Sequence, residues 1–123
     1  MKPTASELDI LQILWQNGNM TVKEINEEIN KVKETGYTTT LKLMQIMHEK
    51  GLLSREQNGR SHVYKASIKE DDTKSSLLKN FIQSTFNGST ANLVMQALGD
   101  HKTTREELEM IRELLNDIEK GKK

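Results

Sequence analysis

The chain has 123 residues, enough for one ordinary domain or a small domain carrying an oligomerisation arm, and too few for two large cores. With 34% of residues hydrophobic and 29% charged, core material is scarce and burial between subunits would add to it. Eighteen basic residues balance eighteen acidic ones, and the lack of cysteine removes disulfides, thiolate metal sites and cysteine nucleophiles.

Thr4 with Glu7 has the spacing of a reciprocal capping box and predicts a first helix carrying Leu8, Leu11, Leu14 and Trp15, stopped by Asn17-Gly18. Trp15, the sole tryptophan, sits at the end of that apolar stripe and reads as a core anchor. Thr21 with Glu24 repeats the spacing, and Val22, Ile25 and Ile29 make a second, short helix reaching about Lys31. The polar stretch from Asn30 to Gly36 is the expected turn.

A third helix is predicted from about Thr38 to Lys50. Leu41, Met44 and Met47, with Leu43 and Ile46 beside them, form one broad apolar stripe. Thr38, Lys42, Gln45 and Glu49 step by four, three and four residues and point the other way together, flanked by Thr39 and His48. Lys42 suits phosphate or guanine and Gln45 suits adenine, the chemistry that major-groove edges demand. The threonines Thr38, Thr39 and Thr40 open the helix, where unbonded N–H groups and short hydroxyls can meet phosphate or base edges. Tyr37 either packs under the helix start or stacks near a DNA backbone.

After Gly51, Leu52 to Gln57 and Arg60 to Ala66 are strand-like, with Val63 and Tyr64 in the returning strand and Asn58-Gly59 as the hairpin signal. Arg60, just past the tip, either sets a cation near the minor groove or a phosphate or simply keeps an exposed hairpin soluble. A helix ending in glycine and running into such a hairpin is a winged helix-turn-helix layout, with double-stranded DNA as the expected partner. Thr21 and Lys23, at the start of the second helix, are the expected phosphate clamp. From Gly36 to Lys65 the cations Lys42, Lys50, Arg55, Arg60 and Lys65 face only Glu49 and Glu56, a local excess of +3 that offsets the neutral total.

Near Ser67 a strand pattern gives way to a charged helical start, which divides the chain into a winged-helix domain, 1–67, and a helical dimerisation domain, 68–123. Leu77, Leu78, Phe81, Ile82 and Phe86 recur at helical spacing before Asn87-Gly88 closes that helix. Ser89 or Thr90 caps the next, with Leu93, Val94, Ala97 and Leu98 as its apolar set. Thr103 or Thr104, each with a glutamate three positions on, starts the last helix, whose Leu108, Ile111, Leu115 and Ile118, beside Leu114, make a seam that one short helix cannot hide. The seam either packs onto the first domain or joins two chains, and the small core favours a homodimer. The fold class is mainly α with a small β-hairpin.

The blocks SELDILQILW, MTVKEI, GYTTTLKLMQIMHEKGLL, GRSHVYKA, FNGSTANLV and TREELEMIRELL occur in order over nearly the whole chain, which resembles the BlaI/MecI penicillinase-repressor family of bacterial winged-helix regulators. The resemblance implies an N-terminal DNA-binding domain, a C-terminal dimerisation domain, repression at a palindromic operator, and release when a membrane-bound sensor metalloprotease triggers cleavage of the repressor. Many members carry arginine where this chain has Ile46. Cleavage in characterised members falls at an asparagine-phenylalanine bond, where this chain reads LVMQALGD and places Gln96-Ala97. The copper-responsive branch carries a C-terminal cysteine cluster that is missing here, which excludes copper sensing through thiolates.

Other chemistry fails on spacing. His48, His62 and His101 are scattered without acidic or thiol partners at metal-ligand intervals. Asp71-Asp72 and Glu106-Glu107 lie at helix starts, where negative charge favours the macrodipole. No phosphate loop, GxSxG elbow or HExxH run occurs, so a non-enzyme without cofactor or metal is expected. No apolar run approaches about 18 residues, and Met1 to Ser6 lacks a signal-peptide layout, so no membrane insertion and a cytoplasmic location are expected. The competing expectation is a winged-helix protein-interaction module without specific DNA binding. Regulation by a ligand between the domains finds no convergent polar pocket in the sequence.

Overall fold

A computed structural model describes residues 2–121; Met1, Lys122 and Lys123, the outermost residues of the two expected domains, lie outside the described residues. Six helices and three strands follow in the order α1 (Ala5–Asn17), β1 (Met20–Thr21), α2 (Val22–Asn30), α3 (Tyr37–Glu49), β2 (Leu53–Asn58), β3 (Ser61–Ala66), α4 (Glu70–Thr85), α5 (Thr90–Asp100) and α6 (Arg105–Glu119). Capping boxes open α1 at Thr4/Glu7, α2 at Thr21/Glu24 and α6 at Thr104/Glu107, while Ser89 alone caps α5. Of the paired alternatives left by the sequence, Thr104 and Ser89 are therefore the caps.

The sheet has three strands, not two, in the order β1-β3-β2, all antiparallel. Met20 and Thr21 pair with Tyr64 and Val63, which ties the start of α2 to the hairpin. The hairpin register pairs Asn58 with Ser61, so the two-residue loop is Gly59-Arg60 and not Asn58-Gly59. Gly59 takes φ +67°, the positive-φ first position of a type II′ turn, and Asn58 stays in the strand.

The core joins Ile10, Leu11 and Leu14 of α1, Ile25 of α2, Met44 and Met47 of α3, and Leu52, Leu53 and Tyr64 from the sheet side. Burial of each such side chain is worth about 1.5–3 kcal/mol. Trp15 packs against this cluster, and its indole N–H donates to the Ile68 carbonyl at 3.1 Å. Partial exposure of an anchor so bonded is consistent with its amphipathic ring.

Two compact units emerge, Met1–Leu78 and Lys79–Lys123. The first runs past Ser67 into α4 because Ile68 packs on the core and Thr73 is buried, its hydroxyl donating to the Lys69 carbonyl at 2.8 Å. In the second unit, no described side chain from Lys79 to Gly121 is buried. The rings of Phe81 and Phe86 meet edge-on there, 5.7 Å apart. Among the described residues, no helix is long and apolar enough to cross a membrane.

Candidate nucleic-acid interface

The start of α3 differs chemically from those of α1, α2, α5 and α6. Its N-cap is Gly36, which has no side chain to offer, so no side-chain acceptor meets the first N–H groups of the helix. Those groups and the positive end of the helix dipole favour an anion.

What holds α3 in place is a pair of asparagines on α2. Asn26 donates through Nδ2 to the carbonyls of Thr35 and Gly36 at 3.1 and 3.3 Å and to Thr40 Oγ1 at 2.8 Å. Asn30, one turn on, donates to the carbonyls of Asn26 and Thr35 and accepts from the Thr35 N–H at 3.0 Å. The α2–α3 turn is thereby stitched to both helices. Sequence reading missed both residues; their spacing of four before a Thr-Gly turn was the available signal.

Thr38, Thr39, Lys42, Gln45 and Glu49 are all exposed on α3. Tyr37, the first residue of α3, is 50% exposed. Thr40 departs from the expectation for the threonine run. It is buried, because it shares the inner face with Met44 and Met47, and its hydroxyl is held by Asn26. Ile46 departs in the opposite sense: it is 41% exposed and lies outside the core cluster, on the side of Lys42 and Gln45.

At the start of α2, Lys23 is exposed, whereas Thr21 is occupied by Glu24. The Thr21 N–H and hydroxyl both donate to Glu24 Oε1, at 2.8 and 3.1 Å, and the hydroxyl accepts from the Glu24 N–H. In the wing, Arg60 lies at the tip itself, as the second loop residue. Arg55 is exposed further down, and its guanidinium donates to the Tyr64 hydroxyl at 3.3 Å.

Lys50 does not contribute to an open basic surface. Its ammonium donates to both carboxylate oxygens of Glu7, at 2.9 and 2.7 Å, and Glu7 is only 2% exposed. With that pair internally neutral, the excess between Gly36 and Lys65 falls from +3 to +2, carried by Lys42, Arg55, Arg60 and Lys65 against Glu49 and Glu56. Burial by itself would raise the Glu7 pKa, but the bonds from Lys50 and Thr4 and the Lys50 charge outweigh it and hold the carboxyl below its ordinary value.

None of the expected dimerisation residues is buried. Leu78, Phe81, Leu115 and Ile118 are about half exposed, and Leu77, Ile82, Phe86, Leu93, Leu108 and Ile111 are only partly covered. Met95 and Met110, outside the expected set, are more exposed still, at 71% and 69%.

Residues 3–117 match the family model described as Penicillinase repressor. The chain belongs to the penicillinase repressor family. This repressor-family chain is 30% identical over 115 residues to a penicillinase repressor of Staphylococcus aureus, covering 94% of the chain and 91% of that protein. It is 26% identical over 113 residues to the methicillin resistance regulatory protein MecI of Staphylococcus aureus (strain N315), covering 92% of each. The solution structure of the DNA binding domain of the repressor BlaI superposes with a TM-score of 0.51 at 25% identity, covering 58% of this chain and 93% of that one. The fold is thus a winged helix followed by further helices, and membership makes the protein a transcriptional repressor and not an enzyme.

Proposed function

We propose that the protein is a cytoplasmic, homodimeric repressor that binds a palindromic DNA operator, with α3 in the major groove. The carrying observation is the exposed ridge of Thr38, Thr39, Lys42 and Gln45 behind a helix start with no side-chain cap. Phosphates favour such a start, and base edges favour such side chains. Lys23, Arg55 and Arg60 add cations on α2 and the wing that position a backbone without reading sequence. Thr21 can join them only if a phosphate displaces Glu24 from its donors. A two-fold dimer formed through α4 to α6 would present two α3 helices to inverted half-sites one or two helical turns apart.

Selection from random-sequence duplexes at low salt tests this proposal. A recovered inverted repeat, bound with an affinity that falls steeply as salt rises, is the expected result. Binding of no duplex in preference to any other would leave the same surface as a protein-docking face. For derepression, a membrane sensor that triggers cleavage within α5, at or near Gln96-Ala97, is the route the family resemblance supports. Both residues of that bond are exposed. A single internal cut there in induced cells, read by mass spectrometry, is the expected outcome.

A further inference from the structure

On the basis of the α3 reading proposed above, we infer that Ile46 determines specificity by recognising the 5-methyl group of a thymine in the major groove. The other aliphatic and thioether side chains of α3 are accounted for by the fold: Met44 and Met47 are fully buried, and Leu41 and Leu43 pack against the core. Ile46 alone among them stands out of the cluster, 41% exposed.

Its position lies within the polar ridge. With about 3.6 residues per turn, Ile46 projects about 40° to one side of Lys42 while Gln45 projects about 60° to the other. Thr39 lies beyond Ile46 on the same side, so the isoleucine falls inside the sector that meets the groove. Its apolar neighbour three positions back, Leu43, packs against the core, and the other large exposed apolar residue of α3, Tyr37, is more than two turns away. A surface built to dock a protein would offer a contiguous apolar patch. One aliphatic group among Lys42, Gln45 and Glu49 fits a partner that presents one apolar group in a polar field. The thymine methyl is the apolar group on the major-groove edge. β-Branching also restricts Ile46 to one preferred rotamer in a helix, so its methyl groups are presented with little entropy left to lose.

The test uses the full chain and the half-site recovered from random-sequence selection. Each thymine is replaced in turn by deoxyuridine, which removes the methyl and leaves the hydrogen-bonding edge intact. The wild-type protein should lose about fourfold in affinity at one thymine per half-site, the worth of one buried methyl. Ile46→Ala should bind the thymine and deoxyuridine forms of that position equally and keep its discrimination elsewhere. Because the first arm alters only the DNA, it is independent of any effect on folding. Equal binding of all thymine and deoxyuridine duplexes by a protein that does select sequence would overturn this inference alone, as would a penalty that persists in Ile46→Ala or a half-site without thymine. Recovery of no preferred duplex would remove the DNA reading and this inference together.

Discussion

Glu7 shows how much one side chain can be asked to do. It completes the cap of α1 by accepting from the Thr4 N–H at 2.8 Å, and it binds Lys50 from the end of α3 through both oxygens. Since its folded pKa lies below its unfolded one, its contribution is complete above the unfolded carboxylate value of about 4.3 and is lost as pH falls through the folded value. Lys50→Met, which strands a nearly buried carboxylate, should cost about 2 kcal/mol at pH 7. Urea unfolding of parent and variant across pH should show that difference persisting through the ordinary carboxylate range and shrinking only as pH falls through the lowered folded value of the parent's Glu7. At the interface, Lys23→Ala should weaken duplex binding across sequences and reduce the log-log salt slope by about one, as measured by fluorescence anisotropy. The Thr4–Glu7 cap was legible from a spacing of three. The Lys50 partnership, 43 positions along the chain, was not, because no local pattern encodes which cation a buried carboxylate meets.

Among the elements, α3 depends on the asparagine clasp for its position. Asn26→Ala removes three donated bonds and leaves the buried Thr40 hydroxyl without its donor, so a loss of about 2 kcal/mol is expected in chemical denaturation. Thr40→Val in the same background should restore part of it, with a coupling of about 1 kcal/mol between the two sites. In the wing, Gly59 has φ +67° and open space where a Cβ would stand, so Gly59→Ala meets backbone strain alone and should cost about 1 kcal/mol. The helices were readable because capping spacings and apolar periods repeat locally. The hairpin loop came out one residue off because Asn-Gly is a strong type I′ signal, whereas the register of Leu53 with Ala66 and Arg55 with Tyr64 puts Gly59-Arg60 at the turn. Strand β1 was unreadable: two residues carry no period, and they become a strand only when β3 arrives to pair with them.

At the scale of the whole molecule, the two units differ in how completely they hide apolar surface. Among the described residues, the first has eleven buried hydrophobic side chains in one cluster and the second has none. Leu114, Leu115 and Ile118 on α6 are each about half exposed. For the proposed homodimer, Ile118→Glu should raise the dimer dissociation constant at least about a hundredfold by forcing a carboxylate into an apolar contact. Sedimentation equilibrium at micromolar concentration should then report the protomer mass. Affinity for a full inverted repeat should fall toward that for a single half-site, with the winged-helix unit still folded.

By itself the sequence determined the number and order of the helices, the winged-helix layout and the outward set Thr38, Lys42 and Gln45, because these rest on spacings that act within a turn or two of chain, and it determined the family through blocks that keep their order over nearly the whole chain. Tertiary structure alone decided that Thr40 faces inward and Ile46 outward, and that Lys50 is neutralised by Glu7. These depend on which surface a helix turns toward its neighbours and on pairings between distant residues. Thr21 belongs with the local readings, since its reciprocal cap with Glu24 follows from a spacing of three. A broad apolar stripe such as that of α3 leaves its own edges undecided, and packing against α1, α2 and the sheet selects which edge residue is covered.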